Sequence, residues 1–338
     1  MNLPVLLRVE DSSYVGGARR LAAALCRDLG FDEYRAGEAA LIVTELATNL
    51  VKHTGGAGGV LVFRPIQVAG ASGLEVLSLD QGPGISNIGE SLRDGHSTTG
   101  SPGTGLGAIR RLSSAFDIYS APGKGVVVFS RIWSNPLPES SSLLSVGAVC
   151  LPVHGEQACG DAWAMHQSGD TTLLMVADGL GHGPDAAAAA NEAVTAFQKH
   201  APRSPAEVIE LVHAALRSTR GAAVAVAALA LGQRVVRFAG VGNIAGVILD
   251  GPISRSLSSI NGTAGVAVRK IQEDTYPWPE GGLLVLHSDG VEKRWKLEDY
   301  PGLARKAPTL IAGVLFRDHN CPRDDSSVVV AKEERNLS

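Results

Sequence analysis

The chain opens with two long segments of helical character. Asp11 or Ser12 can cap a helix running to about Leu29 and closed by Gly30. A second helix covers roughly Asp32 to His53 and ends at the glycine cluster that starts at Gly55. One face of this second helix carries Leu41, Ile42, Val43, Leu46 and Leu50, enough to supply a core. Strands are expected at about 59–68 and 74–80, then a loop rich in Gly and Ser, a helix at about 105–115, and strands near 116–120 and 125–133. Helices followed by a meander of strands predict an α+β sandwich. Farther along the pattern changes. Ala222–Leu231 is continuously apolar between Gly221 and Gly232, which predicts a fully buried strand, and shorter apolar strands at Leu283–Leu286 and Ser326–Val330 each adjoin aspartates.

Ser134 to Ser142 (SNPLPESSS) is rich in Pro and Ser and has no apolar periodicity. With 338 residues, more than one core ordinarily holds, this segment divides the chain into a domain at 1–134, a linker at 135–142 and a second domain at 143–333. No internal repeat is visible, so the halves are not duplicates. A hydrophobic content of 45% with 19% charged residues fits a folded protein with a substantial interior. The net charge of −4 gives no electrostatic case for nucleic acid. Cys26, Cys150, Cys159 and Cys321 are scattered without a CxxC pair, which points to reduced thiols in a cytoplasmic protein and not to a zinc site. The N-terminal apolar run is too short for a signal peptide, and ten apolar residues cannot span a bilayer, which takes about 20. The expectation is a cytoplasmic protein without a membrane partner.

Chemistry concentrates in three places in the first domain. Glu45, Asn49, Lys52 and His53 fall at i, i+4, i+7 and i+8, within one arc of the second helix. Taken alone, such a stripe also suits a solvated surface. Leu79-Asp80 is followed by Gln81-Gly82-Pro83-Gly84-Ile85, a carboxylate at a strand end with glycines that let backbone approach a ligand. Gly100–Gly107 (GSPGTGLG) then opens a helix, and glycine amides leading into a helix N-terminus form an anion cradle suited to phosphates. This is neither a Walker loop nor a dinucleotide-binding fingerprint.

Taken in order, ELATNLVKH, DQGPGI and GTGLG resemble the N-box and glycine boxes of the GHKL ATPase/kinase superfamily, and within it the small serine kinases of the anti-sigma and stressosome-switch type. The resemblance implies a Bergerat α/β sandwich that binds ATP and Mg²⁺. It implies that Asn49 coordinates the Mg²⁺ on the ATP phosphates and that Glu45 is the general base for the substrate hydroxyl. It further implies that Asp80 bonds the adenine amino group while Gly82 and Gly84 shape the pocket. Gly103, Thr104, Gly105, Leu106 and Gly107 would form the phosphate lid, with Lys52 and His53 near phosphate or ordering the helix.

The second domain holds four separated aspartate motifs: Gly160-Asp161, Ala177-Asp178-Gly179-Leu180-Gly181-His182-Gly183, His287-Ser288-Asp289-Gly290 and Asp324-Asp325. Each adjoins a strand end, where side chains from different strands can converge on one pocket. Hard oxygen donors without Cys or His clustering favour Mg²⁺ or Mn²⁺. With AGVGN (Ala239–Asn243), the order resembles the SpoIIE/RsbX-like branch of the metal-dependent serine/threonine protein phosphatases, from which AGVGN departs where that branch commonly has AGHNP. The resemblance implies an αββα sandwich, with the Ala-rich stretch Pro184–His200 as one helix, and a centre of two Mn²⁺ or Mg²⁺ that activates a water for attack on phosphorus. Asp178 would bridge the metals and serve catalysis. The Gly179 carbonyl, Asp161, Asp289 and Asp324 would complete the ligand set, with Asp325 the weaker member of the last pair. His182 is equally readable as an acid, a donor behind the ligands or a loop residue without a role. No phosphate-binding arginine is evident, Arg294 being a poor candidate.

Together the halves imply a bifunctional switch enzyme that phosphorylates and dephosphorylates Ser or Thr on a STAS-type antagonist or scaffold protein in a partner-switching, sigma-factor network. Such small kinases often pair, so a homodimer is one expected state. The alternatives are a first domain that binds a partner in a nucleotide-dependent way without kinase activity, and a second domain that has lost catalysis.

Overall fold

The computed structural model describes residues 4–68, 70–92, 105–136 and 144–333. The chain divides into two compact units, Met1–Ser141 and Ser142–Ser338. Among the described residues no helix is long and apolar enough to cross a membrane.

In the first unit the order is β1 (Val5–Val9), α1 (Ser13–Asp28), α2 (Glu33–His53), β2 (Gly59–Val68), β3 (Ala71–Leu79), α3 (Ile88–Ser91), α4 (Gly105–Leu112), β4 (Ala115–Ser120) and β5 (Val126–Trp133). The strands form one antiparallel sheet in the order β1-β2-β3-β5-β4. Ala18, Ala22, Ile42, Leu46 and Leu50 of α1 and α2 bury against Leu61, Phe63, Leu74, Val76 and Val128 of the sheet. The N-terminal apolar run, weighed in sequence only as a leader, is strand β1. Leu6 and Arg8 face solvent and Val9 is buried, the two-residue period of an edge strand. Helix α2 is capped as its sequence predicts, with Asp32 Oδ1 accepting from Arg35 N at 2.7 Å. Helix α1 is not: Ser12 makes no side-chain cap bond, and Asp11 Oδ1 accepts from Ser13 N at 2.8 Å. Gly30 closes α1 with φ +75°.

A charged triad crosses this sheet. Glu75 on β3 stands directly opposite Arg64 on β2 and Arg131 on β5. Its Oε2 accepts from Arg64 Nε at 2.7 Å and its Oε1 from Arg131 Nε at 2.8 Å, with the second nitrogen of each guanidinium also on the same oxygen. Burial alone would raise the Glu75 pKa, but the two guanidiniums outweigh it and hold the carboxyl below its usual range.

The second unit runs β6 (Leu144–Leu151), β7 (Asp161–Ser168), β8 (Thr171–Gly179), α5 (Pro184–His200), α6 (Pro205–Ala215), β9 (Ala222–Ala230), β10 (Val235–Val241), β11 (Ala245–Asp250), β12 (Ile253–Leu257), β13 (Gly262–Thr263), β14 (Ala267–Val268), β15 (Asp274–Pro277), β16 (Leu283–His287), α7 (Pro308–His319) and β17 (Ser326–Glu333). Two five-stranded antiparallel sheets, β15-β10-β9-β8-β7 and β12-β11-β16-β17-β6, pack face to face. Leu174, Val176, Leu229, Phe238, Leu284, Leu286 and Val329 fill the space between them. Helices α5 and α6 cover the outer face of the first sheet through Ala190, Ala193, Phe197, Val208 and Val212, and α7 lies on β6 and β17 of the second. This is the αββα sandwich expected. Strand β9, with nine of nine residues buried, explains its unbroken apolar run: Val224 and Val226 face the helices while Ala225 and Leu229 face the other sheet.

Replacing Glu75 by Ala removes the carboxylate shared by two partly buried guanidiniums and should destabilise the protein by roughly 3–5 kcal/mol, read by urea unfolding with circular dichroism. Because the folded pKa of Glu75 lies below the unfolded value, its contribution is present above the ordinary carboxylate range and is lost as pH falls. The gap between wild type and Glu75→Ala should therefore narrow on acidification.

Candidate nucleotide and metal sites

In the first unit, Glu45 and Asn49 lie half-buried along α2, while Lys52 and His53 stand exposed on its last turn. The helix ends at buried Thr54, whose hydroxyl donates to Leu50 O at 2.7 Å and accepts from Gly58 N at 2.9 Å. Half-buried Asp80 follows β3. Its Oδ1 accepts from Gly82 N at 2.8 Å and Val126 N at 3.2 Å, so one oxygen holds the DxG turn closed. Gly82 brings the turn against the end of α2, where an added Cβ would lie 2.9 Å from Thr54 Cα. Gly84 adopts φ +78°, and a side chain there would collide with the Ala121 carbonyl. These contacts join the Asn49 helix and the Asp80 turn into one corner of the unit. Gly105, Leu106 and Gly107 form the first turn of α4, which packs on α2 through Leu106 and Ile109. Gly103 and Thr104 lie outside the described residues.

In the second unit, Asp161 opens β7 and stands directly across from Asp178, the penultimate residue of β8. Asp289 follows β16 and Asp324 precedes β17. Burial pushes the Asp178 carboxyl up to about 9, reinforced by Asp161, by Asp289 with which it shares a hydrogen bond, and by Asp324. Burial raises Asp161 to about 7, against the Ser288 hydrogen bond and the nearby Ser327 hydroxyl, with Asp325 and Asp324 adding to the rise. Burial, then Asp289, also raises Asp324. Four acids from four strand ends thus feel one another. Among the described residues no three acidic, histidine or cysteine groups close into a finished cage.

The first unit matches the histidine kinase-like ATPase domain family over residues 9–131, and the second matches the stage II sporulation protein E (SpoIIE) family over 168–332. The serine/threonine-protein kinase RsbT of Bacillus subtilis (strain 168) is 30% identical over 133 residues, 39% of this chain and 98% of RsbT. A solved structure described as the bacterial stressosome, a modular system adapted to control secondary messenger signalling, is 31% identical with a TM-score of 0.52, covering 56% of this chain and 98% of that one. The chain belongs to the RsbT-like ATPase family and carries a SpoIIE-type phosphatase domain.

The SpoIIE-type domain fixes its acids with residues that motif reading passed over. Buried Ser288 donates from Oγ to Asp161 Oδ2 at 2.5 Å and itself accepts from Ser327 N at 3.0 Å. Asp161 Oδ1 is left buried with no hydrogen-bond partner, an oxygen whose desolvation a cation would offset. The donor set therefore fits a hard divalent cation. Asp325 is not aimed at the cluster: it accepts from Val153 N and Gly160 N, each at 2.8 Å, and so clamps the loop before Asp161. This is the physical reason for preferring Asp324 within the pair. Asn243, in the segment that departs from the AGHNP form, donates to Asp289 Oδ2 at 2.5 Å. Exposed His182 meets Glu156 at 3.3 Å. The cysteines are less scattered than their spacing suggests. Cys150 and Cys159, both free, sit with their sulfurs 3.8 Å apart, and the Cys159 hydrogen bond and burial raise the Cys150 thiol. The signal for Ser288 and Asp325 lay in their adjacency to the acids, but only the tertiary pairing of β16 with β17 assigns them a job.

With folded pKa values above the unfolded one, Asp161 and Asp178 make the folded protein hold more protons than the unfolded chain, so they lower stability as pH rises from about 4 toward 9. Asp178→Asn removes the most strongly raised of these groups. The metal-free variant should melt about 3 °C or more above wild type at pH 8, and the two should converge near pH 5, as differential scanning calorimetry would record.

Proposed function

We propose that this chain is a bifunctional switch enzyme that adds phosphate to and removes it from Ser or Thr on a STAS-type regulatory protein, setting the state of a partner-switching, sigma-factor network. The observation that carries the reading is the gathering of Asp161, Asp178, Asp289 and Asp324 at four strand ends, with one buried Asp161 oxygen left unpaired. In the phosphatase half these four acids and the Gly179 carbonyl would hold two Mn²⁺ or Mg²⁺. The bound metals supply an activated water and neutralise charge on the phosphoryl group. Ser288 holds Asp161 through Oδ2, Asp325 fixes the backbone of Gly160, and Asp178, which feels Asp161, Asp289 and Asp324, would be the acid common to both metals.

In the kinase half, Glu45 accepts the proton of the substrate hydroxyl and Asn49, one turn later on the same helix face, holds Mg²⁺ on the nucleotide. Asp80, its Oδ1 held by the Gly82 and Val126 amides, bonds the adenine amino group. Gly82 and Gly84 allow the base to approach the turn, and Gly103 through Gly107 cover the phosphates. Lys52 and His53 lie at the phosphate end of the helix. The name of the matched relative, a serine/threonine-protein kinase, supports transfer to protein hydroxyls. A cytoplasmic location and a homodimer belong to the same reading.

Two variants test the halves separately. Glu45→Ala should retain ATP binding and lose about 100-fold or more in phosphate transfer to a STAS-domain protein, followed with radiolabelled ATP. Undiminished transfer removes Glu45 as the base. If wild type transfers nothing to any STAS protein, the first unit is a nucleotide-dependent binding module. Asp178→Asn should abolish Mn²⁺-dependent hydrolysis of a phosphoester, as should chelation by EDTA. Inactive wild type with Mn²⁺ present would overturn the phosphatase half.

A further inference from the structure

Three segments distant in sequence meet just past the acid cluster. Leu180 N donates to Gly221 O at 3.0 Å. The Arg220 guanidinium reaches Gly181, with Nη1 3.5 Å from the position a Cβ would take there. A Cβ on Gly221 would in turn lie 2.9 Å from Val266 Cγ2. The register of β8 on β9 pairs Asp178 with Ala223 and Gly179 with Ala222, so Leu180 and Arg220 continue these two strands beyond the acids. Leu180 is 46% exposed and Val266 63%, two of the large apolar side chains that this protein leaves in solvent. Both border the same glycine. Arg220 immediately precedes that glycine, 52% exposed, its Nη2 donating to Asp185 at 2.5 Å. An ion pair this exposed contributes little to stability, but it holds the guanidinium beside Gly181, three residues past Asp178.

We propose that Leu180, Val266 and Arg220 form the substrate-docking lip of the phosphatase domain, selective for a phosphoserine or phosphothreonine segment with an apolar side chain two positions from the phosphorylated residue. This rests on the phosphatase reading above. An extended segment advances about 3.3 Å per residue, and residues i and i+2 share a face. With the phosphorylated side chain directed into the acid cluster, the side chain two positions away lands about 6–7 Å along the lip. That matches the two-residue offset between Asp178 and Leu180. The Arg220 charge draws the phosphate dianion to a site whose acids would otherwise repel it.

The test uses the full-length protein with Mn²⁺ and two phosphoserine peptides that differ only in having Leu or Ser at both second-neighbour positions. Wild type should favour the Leu peptide by about 10-fold in kcat/KM, the scale of discrimination an apolar contact provides. The Leu180→Ser/Val266→Ser variant should reduce that ratio to about 1, while Arg220→Ala should weaken both peptides alike and flatten the dependence of kcat/KM on salt. Val266→Ser alone, at an exposed turn, should lower the ratio partway and guards against misfolding of the double variant, checked by circular dichroism. A wild-type ratio near 1, or one that survives the double substitution, overturns the docking lip with the phosphatase reading intact. Hydrolysis of neither peptide by wild type, with Asp178→Asn indistinguishable from it, overturns the phosphatase reading and the lip together.

Discussion

The second unit is organised around a repulsion. Four carboxylates are brought to one end of two packed sheets, where burial and proximity push Asp178 up to about 9 and Asp161 to about 7. Such an arrangement is costly, and the surrounding structure holds it in place. The cross-strand pair of Asp161 with Asp178 is set by the β7–β8 register, which a one-residue slip would destroy by turning the slipped strand's side chain to the other face. The apolar layer between the sheets and the fully buried β9 fix that register. Consecutive small residues on β9 let helices approach one face and a second sheet the other.

Around the acids, every remaining constraint limits motion. Ser288 bridges the backbone of β17 to the Asp161 carboxylate. Asp325 uses both oxygens on backbone amides. Gly290 passes so close to the Asp325 carbonyl that no side chain could be carried there. A carboxylate cluster built in this way is loaded electrostatically and rigid sterically, so a cation bound among the acids would relieve their repulsion. The first unit follows a different logic. Its buried charge, Glu75, is matched on both sides by arginines within the sheet.

Much of this was legible in the chain. The boundaries of α2, β2 and α5 follow from Asp32, the glycines near 55–59 and Pro184, because caps and breakers act locally. The acids were legible as well, since Asp-Gly at strand ends recurs with a distinctive order. What sequence misjudged had a nonlocal cause. β1 is too short to declare itself, and exists because β2 offers it an edge. Cys150 and Cys159 look unrelated until β6 and the loop before β7 are set side by side.

The sequence by itself determined two units, their α+β character and the likeness to GHKL kinases and SpoIIE-type phosphatases, and it offered four candidate acids, since period, punctuation and motif order are properties of the chain. Only the tertiary structure decided which oxygen of Asp161 is left unpaired, that Asp325 is a clamp and Ser288 a positioning donor, and that Leu180, Arg220 and Val266 meet. These depend on pairing between strands separated by scores of residues, and no local pattern encodes which backbone amide a buried carboxylate will reach.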